Sequence, residues 1–378
     1  MRPRLAFVST SNAADPNAES GCPYSMRAQL KKRFDVVDVF PLSLPGERMW
    51  FPLRVAYRIA GRTYHPSREP ALLKRLARRI EPALKAIDPD VVFAPSSIPM
   101  SFVETKRPVI FAADQVFCDF VDSWYLRRPS SSRFRRIGDA QEQRAIARAS
   151  GISYPSEWAA QSARTRYDAD PAKIAVIPYG ANLLRELPED DVEAAIASRP
   201  FDRCELVLIG RDWRRKGGDV LVSTVEELHR LGLQTQATII GADPTGLPRD
   251  RFRILPFLDK ATPEGFAQFA SIMFGAHFLF LPSRAECFAH AFCEAFAFGV
   301  PAIGSSVGGI PSLVRDGETG FLRAPDTQAP EFARLILETL ESPSGYRRMA
   351  RAAREDYRLR LNWGTFGRRL NDFILARV

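Results

Sequence analysis

The chain has 378 residues, 46% hydrophobic and 26% charged, which is enough for two domains of ordinary size and argues against disorder. Its net charge of +9 predicts an attraction to anions, but zinc-finger, RRM and KH patterns are absent from the sequence, so nucleic acid is not an expected partner. The five cysteines include no C-x-x-C pair, and no apolar run suits a signal peptide or a membrane span. We therefore expect a protein of the reducing cytoplasm.

The first half of the chain alternates short apolar runs with helical patterns. The runs predict buried strands at 5–10, 35–40, 90–95, 108–113, 151–155 and 173–178. Residues 70–87, between the second and third runs, have the periodicity of a helix. Alternation of this kind predicts an α/β domain with a parallel sheet.

An acidic, proline-bearing segment at 184–202 has no strand pattern, and we place a domain boundary near residue 190. A second series of predicted strands follows, at 204–210, 235–241, 253–257, 277–282 and 301–304. Neither series carries a G-x-G-x-x-G or G-x-x-x-x-G-K-[ST] fingerprint, so a nicotinamide or flavin oxidoreductase and a P-loop NTPase are not expected.

A basic loop follows the first strand of the second series, in LIGRDWRRKGGDVLV (208–222). Arg211 and Lys216 flank a turn that enters a helix through Gly217 and Gly218. A helix N-terminus with nearby cations favours an anion, most naturally phosphate. A basic surface loop without a ligand is the alternative.

Two carboxylates lie within the apolar stretch AECFAHAFCEAFAFG (285–299). Glu286 is predicted in a strand-to-helix loop and Glu294 in the helix that follows, at the edge where parallel sheets bind ligands. Carboxylates accept hydrogen bonds from sugar hydroxyls, whereas cations neutralise a diphosphate. A nucleotide-sugar carries both groups; two solvated glutamates are the alternative.

These motifs resemble a known family. RDWRRKGG, the E-x7-E of AECFAHAFCE and AFGVPAIGSSVGGIPSLVRDGETGFL (297–322) look like the donor domain of retaining GT-B glycosyltransferases of family 4. Residues 153–167, 173–182 and 362–370 extend the resemblance. It implies an α/β GT-B fold with two Rossmann-like domains facing each other across a cleft. Residues 1–190 would bind the acceptor, 191–360 would bind the donor, and 361–378 would form a helix packing back on the N-terminal domain.

The resemblance also implies roles for individual residues. Arg211 and Lys216 would bind the donor diphosphate and stabilise charge on the leaving group. Glu286 would hold hydroxyls of the transferred sugar, and Glu294 those of the ribose. Further donor contacts would come from the amides of Phe288, Ala289 and His290, from Leu258 in the base-contacting loop PFLD, and from Gly21 after the first strand.

The sequence departs from the family pattern at three places. Asp114 stands where many relatives have a histidine near the reacting sugar, Ala289 replaces a glycine, and a second glycine beside Gly21 is missing. The leading interpretation is a retaining, metal-independent transferase without a cofactor, moving sugar from a nucleoside diphosphate such as UDP or GDP. Its acceptor would be a saccharide, a lipid-linked molecule or a small molecule. A catalytically weakened nucleotide-sugar-binding homologue is the alternative; a glycoside hydrolase would leave Arg211 and Lys216 unexplained.

Two further patterns leave alternatives open. The D-x-D patterns at 88–90 and 168–170 are typical of metal-binding transferases but fit turns better. Residues 48–62 (RMWFPLRVAYRIAGR) mix aromatics with arginines, which suits a peripheral membrane contact or a lipid acceptor. A loop and a partly buried helix lining the acceptor cleft explain them better.

Overall fold

The computed structural model describes residues 2–39, 46–123, 125–126 and 128–378, which form two compact units. The first unit combines Met1–Tyr179 with Trp363–Val378, and the second is Gly180–Asn362. The second unit therefore begins earlier than the predicted boundary near residue 190. One reason is that the Ala181 amide donates to the Leu361 carbonyl (3.1 Å) within the second unit.

The first unit is built on a parallel sheet with the order β2-β1-β3-β4-β5-β6 among the described residues. Its strands are β1 (Arg4–Val8), β2 (Asp35–Val39), β3 (Val91–Ala94), β4 (Val109–Ala112), β5 (Gly151–Tyr154) and β6 (Ile174–Val176). Its helices are α1 (Cys22–Leu30), α2 (Phe51–Ile59), α3 (Pro70–Ile87), α4 (Phe117–Asp122), α5 (Ser132–Arg148), α6 (Glu157–Tyr167) and α13 (Trp363–Leu375). The predicted strands recur here, although Phe40 lies outside the described residues.

The second unit repeats this architecture with the strand order β12-β11-β10-β7-β8-β9 in the described chain. Its strands are β7 (Arg203–Ile209), β8 (Gln234–Ile240), β9 (Phe252–Leu255), β10 (Phe278–Leu281), β11 (Ala302–Ser305) and β12 (Gly320–Arg323). Its helices are α7 (Glu189–Ser198), α8 (Gly218–Arg230), α9 (Pro263–Gly275), α10 (His290–Ala297), α11 (Ala329–Leu340) and α12 (Pro343–Leu359). The predicted α/β class is confirmed, but the sequence patterns missed β12.

Burial within each sheet follows strand position. Five interior strands, β3, β4, β5, β10 and β11, are buried along their whole length, whereas the edge strands β2, β6, β9 and β12 are only partly buried. Interior strands of a parallel sheet are covered by helices on both faces, so they read as continuous apolar runs. β12 (GFLR) is short, begins with glycine and ends with arginine, so it lacks that pattern.

The connections of the second sheet reverse direction at β7. From β7 the chain adds β8 and β9 on one side, then returns to place β10 on the other side of β7. Ligand sites of open parallel sheets lie at such a reversal, outside the carboxyl ends of the strands. The loops after β7 and β10 therefore meet at the switch point.

Candidate functional site

The loop after β7 folds so that Lys216 turns back over the end of the strand. The backbone needs glycine at Gly217, where φ is +77° and a Cβ would lie 2.3 Å from the Pro282 carbonyl oxygen. A Cβ on Gly210 would lie 2.7 Å from Cγ of Lys216, so the lysine stem occupies the space that Gly210 leaves open. Lys216 is 8% exposed, which makes it a buried cation that requires a partner.

Glu286 supplies that partner from the loop after β10. It is 5% exposed, and its Oε1 accepts from the Lys216 ammonium, from Arg215 Nη1 (2.9 Å) and from Ser283 Oγ (3.1 Å). No described residue donates to Oε2. The interpretation of Glu286 as a solvated loop residue is therefore wrong.

Two opposing effects set the pKa of Glu286. Burial alone would raise it, because a low-polarity environment disfavours the charged form. The Lys216 and Arg215 charges, with hydrogen bonds from Lys216 and Ser283, outweigh burial and lower the pKa below its ordinary value. Glu286 is accordingly an anion at neutral pH.

The glycine pair of the VGGIP motif holds the Glu286 backbone. Gly308 has φ +52°, and a Cβ there would lie 1.7 Å from the Glu286 carbonyl oxygen. The Gly309 amide donates to the same oxygen (3.2 Å). The loop after β11 thus fixes Glu286 by a backbone contact that only glycine permits.

The second carboxylate has a lysine partner of its own. Glu294 lies in α10, is 3% exposed and accepts from the Lys260 ammonium through Oε1. Lys260 follows the loop after β9, and its Nζ also lies 5.0 Å from the centroid of the Phe269 ring. Each glutamate of the E-x7-E motif is thus buried and neutralised by a lysine from a different loop.

The start of α10 lies between the two glutamates in the chain. Ala289 is its N-cap residue, with φ −92° and ψ +97°, an extended conformation that any residue adopts. Alanine therefore replaces the family glycine without backbone strain. Phe288 is buried, and its ring meets the His290 ring at 5.3 Å, while His290 Nδ1 donates to the Gly180 carbonyl (2.9 Å).

Arg211 occupies a different position from Lys216. Its guanidinium lies 5.0 Å from the centroid of the Phe257 ring, and it forms no ion pair with a described carboxylate. Phe257 is 50% exposed, whereas its neighbour Leu258 is buried. The predicted base-contacting loop therefore presents an aromatic ring together with a cation.

The remaining predicted residues belong to the first unit. Gly21 caps α1 with φ +78°, and the two residues before it, Glu19 and Ser20, also have positive φ of 46° and 56°. Ser20 holds a left-handed conformation although it is not glycine, a strained geometry found most often near functional sites. Asp114 is exposed after β4; desolvation raises the pKa of Glu19, and the Asp114 charge adds to this.

The D-x-D patterns lie where two helices end. Asp88 and Asp168 end α3 and α6 in the left-handed conformation, with φ of 45° and 48°. Within the described residues, no cluster of three or more His, Cys, Asp or Glu side chains is placed to hold a metal ion.

Sequence reasoning missed Arg215 and Lys260. Arg215 directly precedes Lys216, and Lys260 directly follows the PFLD loop. A buried carboxylate requires a nearby cation, so a search for a partner to Glu294 would have pointed to a basic residue in one of the neighbouring loops.

Two sequence families match the chain. Residues 24–185 match "Glycosyltransferase Family 4" and residues 203–342 match "Glycosyl transferases group 1". Curated relatives include D-inositol 3-phosphate glycosyltransferases from Streptomyces scabiei, 35% identical over 58% of this chain and 52% of the relative, and from Rhodococcus erythropolis, 32% identical over 50% and 45%. The chain thus spans about half the length of the curated relatives it matches.

Solved structures share the fold over nearly the whole chain. Sucrose-phosphate synthase from Thermosynechococcus elongatus has a TM-score of 0.70 at 19% identity and covers 99% of both chains. Anabaena HepE in complex with UDP has a TM-score of 0.65 at 16% identity, covering 99% of this chain and 100% of its own. From its sequence matches and its fold, the chain belongs to the group 1, family 4 glycosyltransferases of the GT-B fold.

Proposed function

We propose that this chain transfers a sugar from a nucleoside-diphosphate sugar to an acceptor, with retention of configuration and without a metal ion. The observation that carries the proposal is the pair of buried glutamates at the switch point of the second sheet, each neutralised by a lysine. Paired carboxylates with adjacent cations match a molecule that has hydroxyl groups at both ends of a diphosphate.

Lys216 would bind the diphosphate and at the same time keep its hydrogen bond to Glu286. An ammonium has three N–H donors; Lys216 uses one on Glu286 Oε1, which leaves the others for phosphate oxygens. Arg215 and the start of α10 add positive potential. Because these groups are already oriented, they would stabilise the charge that develops on the leaving diphosphate.

Glu286 Oε2 would accept hydrogen bonds from the transferred sugar. It receives none from the described residues, and the lowered pKa keeps the carboxylate ionised. Glu294 would accept hydrogen bonds from the ribose hydroxyls, either alongside the hydrogen bond from Lys260 or in place of it. Phe257 with Arg211 would adjoin the base.

Calorimetry and thermal shift with UDP, GDP, ADP and dTDP test the donor site. We expect one diphosphate to bind wild type and to lose about tenfold or more in affinity in Lys216→Met and in Glu294→Gln, since charge-assisted hydrogen bonds contribute about 1.5–3 kcal/mol. Arg214→Met and Glu264→Gln, exposed in the same regions, are matched controls and should bind normally. Failure of folded wild type to bind any diphosphate would refute the site.

Turnover separates the transferase from a weakened homologue. HepE was solved with UDP-glucose and the curated relatives are named for D-inositol 3-phosphate, so UDP-glucose and phosphorylated polyols belong in the first screen. The anomeric proton of the product reports retention by NMR. Specific diphosphate binding without turnover of any activated sugar would support the catalytically weakened homologue. That alternative is considered because Asp114 stands in place of the family histidine.

A further inference from the structure

Helix α2 of the first unit packs against the protein along one side only. Leu53 and Tyr57, with Trp50 just before the helix, lie on a small aromatic cluster. The buried members of that cluster are Tyr64, Phe117, Val121, Phe134 and Ile137. No residue of α2 itself is buried, so this contact accounts for one side of the helix.

The opposite side of α2 is apolar as well. Phe51, Val55 and Ile59 recur every four residues, which places them in one row along the helix. They are 56%, 36% and 83% exposed, and Met49 beside them is 70% exposed. We name these four residues the outer stripe. A helix with solvent on one side normally presents polar residues there, so the outer stripe is a candidate interaction surface.

Positive charge surrounds the outer stripe. Arg54 and Arg58 each follow a stripe residue by three positions and are exposed along its edge. Residues 46–80 contain nine Lys and Arg against two Asp and Glu. One of the two acids, Glu69, is buried on Arg133. Neither Arg54 nor Arg58 forms an ion pair with a described acidic residue.

The helix after α2 extends this charge. The Arg75 guanidinium of α3 lies 3.8 Å from the Met49 sulfur, so the basic side of α3 begins next to the outer stripe. Lys74, Arg78 and Arg79 are exposed on the same helix. An apolar row bordered by arginines and lysines is the pattern of helices that lie in a membrane interface.

We propose that the outer stripe binds the surface of a bilayer that contains anionic phospholipid. The apolar side chains would enter the acyl boundary, while Arg54 and Arg58 reach the phosphate groups. A second copy fits poorly, because a symmetric contact would bring the same arginines together. Val55 and Ile59 also offer no ring for stacking nucleic-acid bases. The proposal does not depend on the transfer reaction.

Sedimentation of the full chain with vesicles tests the surface. We expect binding to vesicles of phosphatidylcholine with phosphatidylglycerol and much weaker binding to phosphatidylcholine alone. The double variant Phe51→Ser/Ile59→Ser should lower the partition coefficient by about tenfold or more, because apolar burial is lost. Arg54→Gln/Arg58→Gln should lower it by about fivefold for each arginine, on anionic vesicles only.

Matched controls come from exposed positions of the second unit. Leu184→Ser/Leu359→Ser removes side chains that are 48% and 61% exposed, and Arg230→Gln/Arg334→Gln changes the net charge by the same amount. Both should bind as wild type does, with unchanged melting temperatures in all variants. The proposal is overturned if anionic vesicles do not bind, if the controls lose binding equally, or if Ile59 instead supports a dimer in sedimentation velocity.

Discussion

The side-chain carboxylate of Glu286 accepts from donors in two loops, and all of them act on Oε1. Its charge is tolerated in a buried position because Lys216 and Arg215 lie within hydrogen-bond distance. Removing Glu286 would leave both cations without their shared counter-charge, so this cluster contributes to the stability of the second unit as well as to its proposed chemistry.

A double-mutant cycle measures the coupling free energy between Glu286 and Lys216. Glu286→Gln should cost about 3–5 kcal/mol of unfolding free energy, because two cations lose their counter-charge. Lys216→Met should cost less, since Arg215 and Ser283 remain, and the double variant should cost at least about 1 kcal/mol less than the sum. Hydrogen exchange of the β10 amides reports the free energy. The exposed pair Arg358 and Glu355 is the control, with coupling of about 0.5 kcal/mol or less; additivity at Glu286 would contradict the cluster.

His277 makes the second unit sensitive to mild acid. The ring is buried, its Nδ1 accepts from the Glu205 amide (3.0 Å) and its Nε2 donates to the Pro200 carbonyl (2.6 Å). Burial lowers the pKa of His277 from 6.5 to about 4. The unfolded chain binds a proton below pH 6.5 whereas the folded chain does not until about pH 4, so stability falls as the pH drops through this window.

The expected loss from His277 is about 3 kcal/mol between pH 6.5 and pH 4. Urea unfolding followed by exchange of β7 and β10 amides should show this slope, and ring NMR should show neutral His277 at pH 5.5. Protonation of the folded ring near pH 6.5 would contradict the assignment.

At the scale of elements, three loops from β7, β10 and β11 converge on Glu286. Their approach depends on glycines whose missing Cβ leaves room for backbone or for a side chain, as at Gly210, Gly217 and Gly308. The sequence predicted the strands and the helix that flank these loops, because apolar runs and periodicity are local signals. It did not predict the contacts between loops, because they join residues far apart in the chain.

Gly308→Ala tests the backbone contact. Both Gly308 and Gly317 have positive φ, of 52° and 76°, but a Cβ on Gly317 meets nothing within 4 Å. Gly317→Ala should cost about 1 kcal/mol for backbone strain alone. Gly308→Ala must also displace Glu286 and should cost more than about 2 kcal/mol and abolish diphosphate binding. Equal effects of the two variants would show that the contact at Gly308 is dispensable.

At the scale of the whole molecule, the chain leaves the first unit and returns to it. Helix α13 packs on α1, where Asn371 Nδ2 donates to the Gln29 carbonyl (3.3 Å), and Trp363 stacks on Tyr179 with centroids 5.8 Å apart. The predicted terminal helix at 361–378 thus contributes to the core of the first unit. Among the described residues, no helix has both the length and the hydropathy needed to span a bilayer.

Leu370→Ala tests that contribution. Leu370 is fully buried on α13, whereas Leu375 is 40% exposed. Leu370→Ala should cost about 2–5 kcal/mol, because it leaves a cavity, and should raise hydrogen exchange in α1 and β5 without affecting β7 or β10. Leu375→Ala is the matched control, with a loss below about 1 kcal/mol. Faster exchange in the second unit rather than the first would contradict the placement of α13.

The sequence alone determined the α/β class, the strand positions other than β12, the helix at 70–87 and the two motifs of the site, because these follow from local periodicity and from residue spacing. Only the tertiary structure decided that both glutamates are buried, that Arg215 joins Lys216 on Glu286 and Lys260 pairs with Glu294, and that Arg211 lies on Phe257. It also decided that α2 presents an apolar row to solvent. Burial and ion pairing depend on which distant segments the fold brings together, and one-dimensional spacing does not contain that information.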